Sequence, residues 1–329
     1  MRVLYRIPIL PALLAAFAAA AQISEGGLPP SFDPQFSPVF NGVSPVAPVV
    51  LASLDAGLLL QQDVQQGEVS RFSAPLPGVD IRPTQAGQWT KLPNGDRVWR
   101  CALRSPQALG LMLIFDRFRL APGARMFAYT PDQKRILGAY TEKSCLPSGE
   151  FLIGVLPGEQ TILELHEPAS ALGVSDIHLN RVDFVYDPAG LLPATDGAED
   201  FGQSYACNVN VNCSQGQTWQ SEKRGVARIL MVFSNGAGWC SGSLLANTSG
   251  NGDPYFLTAH HCQIIGLLPN FNIWRFDFDY EAPSCSNPAT EPAPKSVLGC
   301  QRISYRHETD FLLLKLNQIP GSYNLYFNG

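Results

Sequence analysis

Positive charge is in short supply in this chain. Its 329 residues carry 23 Lys and Arg against 28 Asp and Glu, a net charge of −5, which leaves no electrostatic footprint for nucleic acid or an anionic membrane. Long apolar runs are missing too: after Ala21 no segment is long and apolar enough to span a bilayer. The usual metal-ligand spacings of His and Cys are absent, and neither a metal nor an organic cofactor is expected. Turn-formers are plentiful. The 29 Gly and 27 Pro mark many short connections and favour β architecture over helix bundles.

A chain of this length exceeds the usual size of one domain, so two packed units are expected. Residues 1–21 read as a secretory signal peptide. Arg2 and Arg6 form a basic start, an apolar stretch follows, and Ala19-Ala20-Ala21 offers a small-residue cleavage site. Export makes the eight cysteines disulfide formers rather than metal ligands, and after removal of the signal no membrane contact is expected. Residues 22–50 are rich in Pro, Gly and Ser and read as an extended arm.

Over residues 51–188, strand-like runs at 96–103, 109–120, 126–130, 151–156 and 161–166 alternate with Pro-Gly-type turns. That spacing predicts an antiparallel β-sandwich. Cys101 and Cys145 are the cysteines of this unit and are expected to pair. Within Leu163-Glu164-Leu165-His166, alternation puts Glu164 and His166 on one strand face, which reads as solvated, and His178 reads the same way. A Pro-, Gly- and acid-rich linker at 189–204 precedes a second unit, 205–329, whose runs at 225–233, 239–246 and 255–259 suggest tandem hairpins in the wall of a small barrel. Farther on, Asp277 and Asp279 alternate with aromatic residues and again read as a solvated face.

Two segments of the second unit carry chemistry. Thr258-Ala259-His260-His261-Cys262 places imidazoles at a strand end, and Thr309-Asp310-Phe311-Leu312-Leu313 places a carboxylate where another strand begins. A base held by an acid is two-thirds of what a serine needs to attack an amide. Three consecutive side chains such as His260, His261 and Cys262 do not converge on one tetrahedral ion, so zinc is the weaker reading.

With Cys240-Ser241-Gly242-Ser243-Leu244 and the 206–213 stretch from Ala206 to Cys213, these segments resemble trypsin-like serine proteases, and among them the secreted bacterial lysyl endopeptidases, which are made as precursors. The resemblance runs over about residues 205–316. It implies an all-β chain in which residues 51–188 are a propeptide that contacts the protease unit and residues 205–329 form the first β-barrel of a double-barrel enzyme. The family places its catalytic histidine directly before the cysteine, which selects His261 over His260; Asp310 would orient it. It further implies disulfides Cys240–Cys262 and Cys213–Cys285, a partner for Cys207 outside this sequence, and none for Cys300. Substrates would be proteins or peptides.

The serine of such enzymes lies in a Gly-Asp-Ser-Gly-like segment, which these residues do not contain. The one serine after Asp310 is Ser322, in Gly321-Ser322-Tyr323, a context without the small residues of a nucleophile turn. The nucleophile is therefore expected outside this chain, and the chain by itself is expected to be inactive. The family's specificity pocket is expected outside these residues as well, so the lysine preference is not carried over, and no Lys or Arg lies between Arg181 and Lys223, where family members can mature by cutting after a basic residue. The alternative is a non-catalytic secreted binding or adhesion module built on a protease-like barrel.

Overall fold

The computed structural model describes residues 23–41, 45–66, 71–191, 207–286 and 294–329. The signal-peptide expectation for 1–21 and most of the 189–204 linker fall outside the described residues. Among those described, the first unit has ten strands: β1 (Val49–Val50), β2 (Ser73–Pro75), β3 (Gln88–Lys91), β4 (Arg97–Arg104), β5 (Gly110–Arg119), β6 (Arg125–Tyr129), β7 (Ile136–Tyr140), β8 (Phe151–Pro157), β9 (Gln160–Glu167) and β10 (Asp176–Val185). They make two sheets, β1-β4-β9-β6-β7 with β3 on β4, and β2-β10-β5-β8. Inward side chains such as Trp99, Leu163, Leu165, Phe115 and Phe184 are at most 1% exposed and fill the space between the sheets. Phe118 stacks on Phe151 with ring centroids 4.2 Å apart.

The expected arm is more than a spacer. It contains a short helix, α1 (Ser37–Asn41), and its residues cover the outer face of the first sheet: Phe36, Val39 and Phe40 pack on Leu92 and Val98, and Phe32 packs with Phe127 and Tyr129. This cover overturns the reading of Glu164 and His166 as solvated, since Glu164 is fully buried and His166 is 7% exposed. Glu164 accepts from Ser31 N–H at 2.8 Å and from the Tyr129 hydroxyl at 2.7 Å, while His166 Nε2 meets Asp96 Oδ2 at 2.8 Å. Alternation had divided the strand faces correctly; what it lacks is any record of a second layer. His178 is likewise held rather than solvated, with Asp80 at 2.8 Å on one ring nitrogen and Asp116 at 2.7 Å on the other.

The second unit is one seven-stranded antiparallel sheet of β11 (Val226–Phe233), β12 (Gly236–Leu245), β13 (Tyr255–Ala259), β14 (Arg275–Phe278), β15 (Lys295–Leu298), β16 (Cys300–Arg306) and β17 (Phe311–Leu316), in the order β15-β14-β11-β12-β13-β17-β16. Its two edge strands are separated in the chain by Gly299 alone, so one bent segment pairs with β14 at one end and with β17 at the other. The sheet therefore curls on itself as a small barrel. Gly299 is required at the corner: its φ is +88°, and a Cβ there would lie 2.2 Å from Asn317 Nδ2. Trp274, Phe276, Phe256, Leu312 and Leu314 fill the interior.

Asp277 corrects a second expectation. It is 1% exposed and shares its face with Arg228 on β11 and Ser296 on β15, the residues opposite it in the two ladders. Arg228 reaches it at 3.1 Å, Arg275 at 3.0 Å and Ser296 at 2.6 Å. Burial pushes the carboxyl pKa up, and the Arg275 and Arg228 guanidiniums outweigh that and hold it below the usual carboxylate value. Asp279, by contrast, sits partly exposed in an ion pair with Lys295. The face is dry because the first unit lies against it, with Arg275 passing directly over Gly154.

The units meet mainly at the β11–β12 turn. Phe72 N–H donates to Ala237 O at 3.0 Å, and the guanidiniums of Arg71 and Arg181 donate to Asn235 O and Phe233 O, each at 2.6 Å. Phe72 stacks on Trp239 at 5.5 Å, and both Glu150 oxygens accept from the side chains of Asn270 and Asn272 at 2.6 Å.

Candidate active site

Strand β13 delivers the histidines. Its residues alternate between half-buried and buried, with Phe256 and Thr258 facing the core. The strand ends at Ala259 and the chain turns into a 3₁₀ segment, His260–Ile264. Cys262, in that segment, bridges back to Cys240 on β12, with Cα atoms 6.1 Å apart. Thr258 Oγ1 adds a hydrogen bond to Ser241 O at 2.8 Å. The turn is thus anchored covalently one residue after His261.

Pairing register brings in the aspartate. In the antiparallel ladder of β13 and β17, Thr258 lies opposite Leu312 and Ala259 opposite Phe311. One step beyond the strand ends, residue 260 faces residue 310, and His260 N–H donates to Asp310 O at 3.0 Å. Asp310 has a left-handed φ of +50° and closes a turn by donating its N–H to His307 O at 3.1 Å. This conformation directs its carboxylate at His261. Oδ1 accepts the backbone N–H of His261 at 2.8 Å, and Oδ2 lies 2.7 Å from His261 Nδ1.

The protonation state follows from this geometry. The His261 backbone N–H and then its ring hydrogen bond hold the Asp310 carboxyl pKa below its ordinary value. An ionised carboxylate has no proton to give, so Nδ1 of His261 is the donor. Neutral imidazole then has its lone pair on Nε2. Both side chains are about half exposed, 49% for His261 and 51% for Asp310, so Nε2 belongs to a basic group within reach of solvent and ligand. The arrangement can accept a proton at Nε2 and stabilise the resulting imidazolium.

His260 faces the other way. It is 8% exposed, stacks on Tyr305 at 5.4 Å, and has Nδ1 at 3.4 Å from Nδ1 of His307. Ligand atoms of Cys240, His261 and Cys262 lie within 4.8 Å of one another. Both sulfurs are consumed in the disulfide, however, so they offer no thiolate to a metal.

The other cysteines divide. Cys213 is bonded to Cys285 with Cα atoms 4.4 Å apart. Cys101 and Cys145, expected to pair, are both free thiols. Cys101 points into the sandwich core from β4, and burial drives its pKa up to about 12. Cys145 follows a 3₁₀ turn, where its sulfur takes the Leu120 N–H at 3.3 Å. Sharing one unit did not bring the two sulfurs together. Cys300 is free and buried, and Cys207 is free and exposed.

Sequence reasoning passed over His307 and the buried Asp277 cluster. A signal for His307 was its position three residues before Asp310, the spacing that closes a tight turn. Residues 201–329, the stretch that contains every feature of this site, match the family model described as lysyl endopeptidase, C-terminal domain, so that part of the chain is similar to this domain.

Proposed function

We propose that this protein is a secreted serine endopeptidase precursor in which His261 is the general base and Asp310 the residue that orients it. The observation that carries the reading is the paired contact of one carboxylate with one histidine, at 2.8 Å to its N–H and 2.7 Å to its Nδ1. Two bonds to one residue fix both the tautomer and the direction of the ring, which is what proton transfer at Nε2 requires. The match of residues 201–329 to a lysyl endopeptidase domain supports a peptidase over other uses of a His–Asp pair.

In this mechanism a serine supplied from outside these 329 residues attacks the carbonyl carbon of a peptide bond. His261 Nε2 takes the hydroxyl proton and returns it to the leaving amine, while Asp310 stabilises the imidazolium between those steps. Residues 51–188 act as a propeptide that holds the barrel through the β11–β12 turn, and residues 1–21 direct export. The two disulfides, Cys213–Cys285 and Cys240–Cys262, support an oxidising destination.

The test is made on the full-length gene product. It is expected to hydrolyse peptide substrates and to be labelled by a fluorophosphonate, which reports an activated serine. His261→Ala should abolish both, and Asp310→Asn should lower kcat by about 10⁴-fold by favouring the wrong tautomer. A folded full-length protein that neither cleaves nor labels would replace this reading with that of a non-catalytic binding or adhesion module.

A further inference from the structure

We infer that His260 is a positioning residue for the candidate catalytic pair: its contact with His307 holds the turn that presents Asp310 to His261. The inference rests on the proposed peptidase reading for its kinetic consequence, though not for its structural one.

Backbone pairing of Arg306 with Phe311 closes the turn that carries Asp310, and His261 bonds the Asp310 carboxylate, but the other side chains of the turn have little to hold them. Every residue from 301 to 310 is exposed, so the end of β16 and the turn into β17 have no buried side chain of their own. Tyr305 is 51% exposed, and Arg306 and Glu308 form an ion pair that is itself largely in solvent. Asp310 nevertheless keeps a left-handed backbone, uncommon for a residue other than glycine though more open to aspartate than to most. What the turn leans on is His260, buried on the barrel side.

Three contacts converge there. His260 N–H donates to Asp310 O, Tyr305 stacks on the His260 ring, and the Nδ1 atoms of His260 and His307 lie 3.4 Å apart. Two facing imidazole nitrogens bond only when one bears a proton and the other does not. This pair therefore joins the first residue of the turn to the residue beside His261, while Asp310 N–H to His307 O closes the turn from within. Position 260 is bound on one side to the histidine that follows it and on the other to the turn that orients that histidine.

The experiment uses the full-length protein with His260→Ala, His260→Asn, His307→Ala and the His260→Ala/His307→Ala double variant. Asparagine keeps a polar atom close to where Nδ1 sits. Each alanine change is expected to lower kcat about 10- to 100-fold with KM little changed, as expected for an ångström-scale displacement of a catalytic group. The double variant should be no worse than either single one, and His260→Asn should restore most of the loss. In ¹⁵N-labelled protein, the His261 Nδ1–H resonance bonded to Asp310 should be lost by exchange in His260→Ala and return in His260→Asn. Additive effects in the double variant, an unchanged kcat in His260→Ala, or a retained His261 Nδ1–H resonance in it would each overturn the inference. A wild-type protein without peptidase activity would remove the proposed function only, because the resonance still decides whether position 260 holds Asp310.

Discussion

Asp310 and Asp277 show how the same side chain is put to opposite uses by its surroundings. Asp310 is half exposed and takes two hydrogen bonds from His261, which lower its pKa. Its carboxyl titration, followed by ¹³C NMR, should have a midpoint below the ordinary 3.8, and that midpoint should rise in His261→Ala as the ring hydrogen bond is lost. Asp277 is buried between Arg228 and Arg275. Removing one partner of a buried charge cluster leaves the others uncompensated, so Asp277→Ala should destabilise the barrel by about 3–5 kcal/mol in denaturant titrations. The folded-state pKa of Asp277 lies below its ordinary 3.8, so its stabilisation is complete above pH 3.8 and is lost as the pH falls from there through the lowered value. An Asp277→Asn protein should therefore lack that part of the acid-dependent loss. His261 and Asp310 were legible because each sits in a motif tied to a strand end. Asp277 was misread because alternation names a face without naming what lies against it.

At the scale of elements, the site depends on how three strands are tied. Register between β13 and β17 sets Asp310 beside the histidines, and the Cys240–Cys262 bond ties the histidine turn to β12. Replacing both of those cysteines by alanine should cost about 3 kcal/mol, and replacing Cys213 and Cys285, which close a longer loop, about 4 kcal/mol. Equilibrium unfolding of each double variant checks the order. The first change should also weaken the His261–Asp310 contact, since the 3₁₀ turn would lose its anchor. Strand positions in the first unit were read from alternation and turns to within about a residue at β4, β5, β6, β8 and β9. The short strands β2, β3 and β7 and the bent β15–β16 segment carry too few alternating residues to show a period. The free state of Cys101 and Cys145 was likewise hidden, because a shared unit says nothing of the distance between two sulfurs.

Across the whole molecule, the two units share one apolar core and meet at the tip of the β11–β12 hairpin. Gly236 in that tip comes so close to Ser73 that a Cβ would lie 2.1 Å from its carbonyl oxygen. Arg181 joins the units by donating to Phe233 O while pairing with Asp183, which is fully buried. Arg181→Ala should strand that carboxylate, cost about 3 kcal/mol, and split a single unfolding transition into two as the units uncouple. Calorimetry of the variant against the parent chain reads both effects. None of these contacts involves the His261–Asp310 pair, so the first unit grips the barrel at its hairpin and leaves the candidate site exposed.

By itself the amino-acid sequence determined the class of the fold, the bounds of the longer strands β4, β5, β6, β8 and β9 to about a residue, and the two segments that bear His261 and Asp310. Those properties are local, written in alternation, in Gly and Pro punctuation and in short motifs. Tertiary structure alone decided which strand faces are dry, which cysteines meet, and that His260 leans on His307. Each of these depends on how distant segments register and stack, and a strand's own period is the same whether water or a second layer lies against it.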